Sequence, residues 1–216
     1  MGEVVSKMWH WFLDALFPER CLLCGREGSF LCREHQHFPP APGNQAFFDD
    51  LDRIFARTAY ATPANEKIVE VFKFKGIRGL GKYMARAMIE AVPPDFFSEV
   101  VLIPIPLHWT RKIWRGFNQS EILAREISKL IPNVQISSGL RRIKRTHQQA
   151  LLSKEERLRN MRGAFAWINH EPVPQKVLII DDVVASGSTL DSAAAVLKDA
   201  GAQFVSALVF ARGGKK

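Results

Sequence analysis

Two adjacent acids and a run of small residues stand close together near the end of the chain. The segment VLIIDDVVASGST, residues 177–189, joins an apolar run to Asp181 and Asp182 and then to a loop that contains glycine. We expect the apolar run to form a buried strand and residues 188–200 to form a helix. Ligands of open parallel sheets bind beyond the carboxyl ends of the strands, so this segment is a candidate site.

The composition of the loop predicts a phosphate site. Small side chains let backbone N–H groups approach an anion, and the start of the following helix adds its positive end. The carboxylates suit neighbouring hydroxyls of a sugar, and we expect alternation along the strand to turn them away from the phosphate. Neither the dinucleotide pattern G-x-G-x-x-G nor the Walker ending G-K-[ST] is present. A ribose 5-phosphate ligand is therefore predicted, with its ribose at Asp181 and Asp182 and its phosphate at Ala185, Ser186, Gly187, Ser188 and Thr189.

A second candidate site lies in CLLCGREGSFLCREH, which holds all three cysteines of the chain. An odd number of cysteines argues against a disulfide framework. The C-x2-C and C-x2-H pairs have the spacing of two metal-binding knuckles, and four such ligands close a tetrahedral structural Zn2+ site. The predicted ligands are Cys21, Cys24, Cys32 and His35, with His37 as the alternative fourth ligand.

The length and the net charge of the chain limit the folds that can position these residues and the ligands that they can bind. The 216 residues suffice for one α/β domain with a small appendage. The net charge of +8 predicts attraction to anions such as phosphorylated small molecules, nucleic acid or acidic lipid, or else a solvated basic surface. The sequence lacks an apolar run of about 20 residues and a signal peptide, so a cytoplasmic protein without a transmembrane segment is expected.

The chain is expected to divide near residue 40. Residues 1–40 would hold an amphipathic helix at 4–17 and the zinc knuckle, and residues 41–216 would form the α/β domain. The proline-rich stretch 36–45 is predicted to be a linker. The helix at 4–17 is expected to dock on the domain, with a partner or a membrane surface as the alternative.

Apolar runs and helical periodicity alternate along the larger domain. This alternation predicts a parallel sheet covered by helices on both faces. The expected strands are 53–61, 100–106, 164–168, 177–180 and 202–212, and the expected helices are one or two in 65–91, one at 118–131 and one at 188–200.

The Asp-Asp loop resembles the phosphoribosyl pyrophosphate (PRPP) motif of type I phosphoribosyltransferases. The segments LFPERCLLCG, KFKGIRGLGKYM, IPIPLHWTRKIWRGFNQSEILA and RTHQQALLSKEERLRNMRGAF resemble successive blocks of the ComF/GntX family of competence-associated proteins. This resemblance implies a zinc finger followed by a type I phosphoribosyltransferase-like domain. Two positions depart from the family pattern: Ala185 stands where a threonine is frequent, and His35 stands where a fourth cysteine is usual.

The same resemblance implies where pyrophosphate would bind. Residues 105–108 would lie near that group, and the basic stretch 141–162 corresponds to a mobile loop that closes over the site. Mg2+ would accompany PRPP, because the ligand carries a high negative charge. The acids would flank a C1 atom with oxocarbenium character. The candidate cations for the anion are Arg111, Lys112, Arg115, Arg141, Arg142, Lys144 and Arg145.

A nucleic-acid role is the alternative interpretation. Trp109 and Trp114 lie among basic residues of the segment WTRKIWR, and aromatic rings between cations can stack on unpaired bases. Both tryptophans are equally consistent with a core or lid position. The resemblance to competence proteins implies single-stranded DNA and the DNA-uptake or recombination machinery as partners. The acceptor substrate, turnover and the oligomeric state are left open by the sequence.

Overall fold

A computed structural model describes residues 19–41, 49–144, 163–168 and 172–213. The predicted helix at 4–17 lies outside these residues, as do Arg145 and most of the basic stretch that follows it. The chain divides into two compact units, Met1–Phe38 and Pro39–Lys216. The boundary falls inside the proline-rich stretch 36–45.

Parallel strands form the centre of the larger unit. The strands of the described residues are β1 (Arg53–Ala59), β2 (Val101–Pro104), β3 (Gln135–Ile136), β4 (Leu140–Arg142), β5 (Phe165–Trp167), β6 (Lys176–Val184) and β7 (Phe204–Arg212). Five of them make one sheet in the order β1-β7-β6-β2-β3, and every pairing in it is parallel. Residues 177–180 of β6 are all buried, so helices cover both faces of the sheet. The predicted fold class is confirmed.

The helices of the described residues are α1 (Pro63–Phe74), α2 (Leu80–Ile89), α3 (Trp109–Arg115), α4 (Gln119–Leu130) and α5 (Ser188–Asp199), with 3-10 turns at Arg33–His35 and Pro94–Phe97. Thr62 caps α1, because its side chain accepts from the Asn65 N–H, and proline occupies the first helical position. The apolar side of α5, which includes Leu190 and Leu197, joins the core formed by β6 and β7.

Three short elements were not predicted from the sequence. Helix α3 follows Pro106 and ends before Gly116, whose φ of 76° stops it. Strands β3 and β4 are only two and three residues long. Because β4 pairs antiparallel with β5, Arg141 and Arg142 lie in a strand and not at the start of a loop, which corrects the expectation. Buried Leu140 in β4 and Phe165 in β5 favour this pairing.

Strand β6 is longer than the apolar run that predicted it. It continues to Val184, because its pairing with β7 extends to the pair Val184 and Arg212. Asp181 and Asp182 therefore lie within the last residues of the strand and not in the loop. At the sheet edge, β1 ends at Ala59, two residues before the predicted end. In the part of the chain that the structure describes, none of the helices is long and apolar enough to cross a membrane.

Candidate functional site

The loop between β6 and α5 borders a small cavity. The cavity has a volume of about 80 Å³ and is lined by Asp181, residues 183–187, Thr189 and Leu190. Gly187 has a φ of 82°, a left-handed conformation that glycine adopts without strain, and it precedes the first residue of α5. The loop thus combines a glycine turn, small side chains and a helix start, which is the arrangement that suits a phosphate.

Neighbouring contacts hold this loop in place. The hydroxyl oxygens of Ser186 and Ser188 lie 2.9 Å apart and share a hydrogen bond. The Gly213 N–H donates to the Val184 carbonyl at 2.7 Å. A Cβ atom at Gly213 would lie only 3.4 Å from the Ala185 Cα, so the two backbone segments approach closely. The end of β7 therefore supports the start of the loop.

Asp181 joins the cavity to α4. One carboxylate oxygen, Oδ1, accepts from the Ser120 hydroxyl at 2.9 Å and from the Asp182 N–H at 2.9 Å. Burial, followed by the negative charge of Asp182, raises the pKa of Asp181 to about 7, against the opposing effects of Lys73 and Ser120. Asp181 lines the same cavity as the phosphate-type loop, and its carboxylate engages Ser120 of α4.

Asp182 points to different partners. Its side chain is buried, and its Oδ1 atom forms an ion pair with the Lys73 ammonium at 3.1 Å. Its Oδ2 atom is buried without a hydrogen-bond partner among the described residues. Asp182 does not line the loop cavity.

Sequence reasoning did not single out Lys73. It lies in the last turn of α1, and the negative charges of Asp182 and Asp181 raise its pKa although burial opposes them. The sequence of α1 does not mark Lys73 as a site residue, because a lysine at a helix end is usually solvated. Only the fold brings residue 73 to the end of β6.

Three consecutive polar residues at the start of α4 connect the parts of the site. The Asn118 side chain caps α4 through the Ser120 N–H and donates to the Ile105 carbonyl at 2.9 Å. The Gln119 amide donates to the Lys73 carbonyl at 3.4 Å, and Ser120 donates to Asp181. All three are buried. An asparagine before a helix predicts a cap, but the sequence contains no sign of the other two contacts.

The predicted cations lie in separate places. The Arg115 guanidinium stands 5.0 Å from the Phe74 ring centroid, next to the site. Arg142 stands 5.4 Å from the Phe165 ring centroid, in the β4-β5 hairpin. Arg141 and Lys144 belong to this hairpin as well. The backbones of Arg111, Lys112 and Trp109 belong to α3, and their side chains lie outside what the structure describes.

An exposed apolar patch stands beside Arg115. The exposed fractions of Phe74, Ile113 and Trp114 are 57%, 73% and 75%. The rings of Phe74 and Trp114 lie 6.2 Å apart between centroids at an angle of 67°. Large apolar side chains rarely cluster on a surface without a partner. The patch is therefore a candidate binding surface.

The smaller unit holds the predicted metal cluster. The ligand atoms of Cys21, Cys24, Cys32 and His35 lie within 4.8 Å of one another. The Cys24 and Cys32 sulfurs are 3.7 Å apart, and the Cys21 sulfur lies 3.5 Å from His35 Nδ1. Zn–S bonds of about 2.3 Å in a tetrahedron separate two sulfurs by about 3.8 Å, so the cluster can hold a metal ion such as zinc.

Local turns produce this cluster. The Gly25 N–H donates to the Cys21 carbonyl at 2.8 Å, and the left-handed Gly25, with a φ of 78°, closes that turn. The 3-10 turn Arg33–His35 brings His35 back towards Cys32, whose sulfur lies 3.1 Å from its Nδ1 atom. The second knuckle thus uses His35, and His37 is outside the cluster.

Several known proteins are similar in sequence to this chain. Competence protein F of Haemophilus influenzae is 27% identical over 196 residues, which cover 88% of this chain and 84% of the relative. Competence protein ComFC of Bacillus subtilis is 28% identical over 195 residues, covering 84% and 72%. DNA utilization protein YhgH of Escherichia coli K12 is 37% identical over 106 residues, and this match spans only 48% of this chain and 45% of the relative.

The resemblance inferred from the sequence is thereby confirmed for nearly the whole chain. The larger unit also matches a family model directly: residues 44–216 fit the phosphoribosyl transferase domain. The match includes the Asp-Asp strand end, the glycine loop and the segment that begins α4. The chain is similar to competence and DNA utilization proteins, and it belongs to the phosphoribosyl transferase domain family.

Proposed function

We propose that this protein binds PRPP or a related ribose 5-phosphate ligand at the end of β6. The observation that carries the proposal is the cavity shared by Asp181 and the loop around Gly187, at the start of α5. The 5′-phosphate would occupy the loop, where backbone N–H groups and the helix start attract an anion. The ribose hydroxyls would lie at Asp181, whose ionised carboxylate accepts hydrogen bonds.

The carboxylates of this site would also suit phosphoribosyl transfer. A leaving group at C1 generates positive charge on the sugar, and carboxylates close to the sugar stabilise that charge. We propose Mg2+ as the companion of the ligand, since Mg2+ binds through carboxylates, water and phosphate oxygens. The unpartnered Oδ2 atom of Asp182 is an oxygen of the required kind, although the Lys73 ammonium engages the other oxygen of this carboxylate. Mg2+ would supply charge neutralisation of the pyrophosphate.

The names of the relatives support a role in DNA uptake. Two of them are called competence proteins and a third is called a DNA utilization protein. We propose that this protein acts in natural transformation, in the cytoplasm, together with the DNA-uptake or recombination machinery. In this proposal the phosphoribosyl site serves that process, and a zinc ion bound by the cluster around Cys32 folds the smaller unit.

Charge insertion tests the phosphate position. Ser186→Asp places a negative charge in the cavity lining, and we expect it to lower the affinity for PRPP with Mg2+ at least 10-fold in calorimetry. Ser192→Asp, within α5 and outside the lining, is the matched control and should change the affinity less than 2-fold. No binding of PRPP by the unsubstituted protein, or an equal loss in both variants, would refute the proposal.

Single-stranded DNA is a second candidate ligand, favoured by the exposed patch beside Arg115. The Phe74 and Trp114 rings are available for stacking on bases, and the net charge of +8 favours a polyanion. Stacking is worth about 1–3 kcal/mol per base, so Trp114→Ala should weaken binding of an oligonucleotide about 5-fold or more. Leu130→Ala, at an exposed position of α4, is the control. Affinity that is independent of salt and of Trp114 would rule out this candidate.

A further inference from the structure

Cys24 is the most accessible sulfur-containing residue in the part of the chain that the structure describes. It is exposed, whereas Cys21 and Cys32 keep only 3% and 6% of their surface accessible. The methionines among the described residues, Met84 and Met88, are fully buried. A small reagent that arrives from solvent and reacts with sulfur therefore meets Cys24 before any other described sulfur atom.

The turn that follows Cys24 leaves open space around it. Residues 24–28 are all exposed. A Cβ atom added to Gly25 or to Gly28 would meet no heavy atom within 4 Å apart from its chain neighbours. A molecule as small as a peroxide can therefore approach Cys24 without a rearrangement of the surrounding backbone.

The sulfur of Cys32 stands within reach of Cys24. The two sulfurs lie 3.7 Å apart, whereas the Cys21 sulfur lies 3.5 Å from the Nδ1 atom of His35. A disulfide bond is about 2.0 Å long, so the sulfurs of Cys24 and Cys32 need to approach each other by only about 1.7 Å. Cys32 is also buried, so it reacts with a neighbouring sulfur more readily than with a molecule in solvent.

The same four-ligand set determines the chemical form of these cysteines. A cysteine that binds a metal does so as a thiolate, which is also the form that reacts with oxidants. An oxidised thiolate becomes a sulfenic acid, and a sulfenic acid condenses with a second thiolate to a disulfide. Cys24 has the exposure that the first step needs, and Cys32 has the position that the second step needs.

We propose that Cys24 is an oxidation site for peroxides and that Cys32 is its resolving cysteine. With hydrogen peroxide, the Cys24 thiolate attacks one oxygen, an S–O bond forms, the O–O bond breaks, and the hydroxide that leaves takes up a proton. The Cys32 thiolate then attacks the Cys24 sulfur, an S–S bond forms, the S–O bond breaks, and a second hydroxide takes up a proton. The two thiolates lose two electrons in total, and the peroxide is reduced to two molecules of water.

The disulfide removes two of the four ligand atoms from the cluster. Cys21 and His35 cannot close a tetrahedral site by themselves, so the cluster can no longer hold its ion. We expect residues 19–38 to lose their structure as a result, because so short a segment has little core of its own. The larger unit contains no cysteine that could react in the same way. This proposal rests on the proposed zinc site and is independent of the proposed ligand of the larger unit.

The experiment treats the reduced, full-length protein with one equivalent of hydrogen peroxide. A chromogenic chelator measures the zinc that is released, and mass spectrometry of alkylated peptides maps the thiols. We expect one zinc to be released per peroxide, a disulfide between Cys24 and Cys32, and an alkylated Cys21. Cys24→His keeps four ligand side chains without the exposed thiol, and it should slow the release about 10-fold or more. The matched control is Cys21→His, which makes the same change at a buried cysteine and should keep the rate within 2-fold.

The outcomes that contradict the proposal are distinct. A disulfide that includes Cys21, or a sulfinic acid at Cys24 without a disulfide, would rule out Cys32 as the resolving cysteine. Equal rates of release from Cys24→His and Cys21→His would rule out Cys24 as the oxidation site. If a variant binds no zinc, the peptide map of the unsubstituted protein decides by itself. Zinc that stays bound under peroxide would refute the oxidation site alone. An absence of zinc from the reduced protein would refute the zinc site, and the peptide map would still test the two cysteines.

Discussion

The metal cluster and the acid pair both gather polar groups, but the protein assembles them differently. The four cluster residues all lie between Cys21 and His35, on turns held by a few hydrogen bonds. The groups around Asp181 and Asp182 come from α1, α4 and β6, which belong to a packed sheet domain. We therefore expect the cluster to depend on a bound ion for its structure, and the acid pair to depend on the surrounding core. Loss of a ligand atom should be all-or-none in the first case and graded in the second.

Removal of a cysteine should have the largest effect. Cys32→Ser removes a buried sulfur from the cluster, and binding of structural zinc is worth about 10–16 kcal/mol in small metal-folded units. We expect one zinc per chain in the purified protein and none in the variant, measured by elemental analysis. Amide hydrogens of residues 19–38 should then lose their protection from exchange.

The control for that variant is His37→Asn, which changes a histidine outside the cluster. It should keep one zinc and the protection of residues 19–38. Equal zinc loss in both variants would show that the fourth ligand is not His35. A folded metal-free form would contradict the distinction between the two regions.

Truncation of the buried acid should have the next largest effect. Asp182→Ala leaves the Lys73 ammonium without its carboxylate, which costs about 3 kcal/mol, the low end for a broken buried ion pair, since Lys73 is partly exposed. Urea denaturation measures the change in the free energy of unfolding. The double variant, in which Lys73→Met is combined with Asp182→Ala, should regain part of the lost free energy of unfolding. A further loss in that double variant would contradict the graded behaviour expected of this region.

The contrast also explains what the sequence could predict. The cluster and the glycine loop are continuous in the chain, so spacing and residue type predicted their members, from Cys21 to His35 and from Asp181 to Thr189. The strands other than β3 and β4 were predicted because they lie in apolar runs. Lys73 and Gln119 carried no such signal, since each meets a partner more than 40 positions away only after the sheet forms. Short β3 and β4 were missed because two or three residues hold no periodicity.

A smaller effect, which depends on pH, is expected when the Ser120 hydroxyl that donates to Asp181 is removed. With its pKa near 7, Asp181 binds a proton more tightly in the folded than in the unfolded protein, so its contribution makes stability fall between about pH 4 and pH 7. Ser120 stabilises the ionised form by donating to it. Ser120→Ala should therefore lower the free energy of unfolding by about 2 kcal/mol at pH 8 and by less at pH 5.

Urea denaturation at the two pH values measures this difference. Ser128→Ala, in the same helix, removes a hydroxyl that donates to the Arg125 carbonyl, and its effect should not vary with pH. An equal loss for Ser120→Ala at both pH values would mean that the Ser120 bond does not distinguish the ionised form of Asp181. The free energy of unfolding would then depend less on the protonation state of Asp181 than the hydrogen bond from Ser120 predicts.

The smallest effect is expected from the start of α1, the helix that carries Lys73 at its other end. Thr62→Ala removes the side-chain cap on the Asn65 N–H, which costs about 1 kcal/mol, and Thr62→Ser keeps the oxygen and should cost less. Because the Gln119 amide and buried Phe72 still hold the end of the helix, the affinity for PRPP should stay within 2-fold in both variants. If Thr62→Ala weakened the affinity for PRPP 10-fold, the ligand site would be lost together with the helix cap. The acid pair would then be lost as a single unit. It would then behave as the metal cluster does, and the distinction between a site held by its ligand and a site held by its core would not apply to this protein.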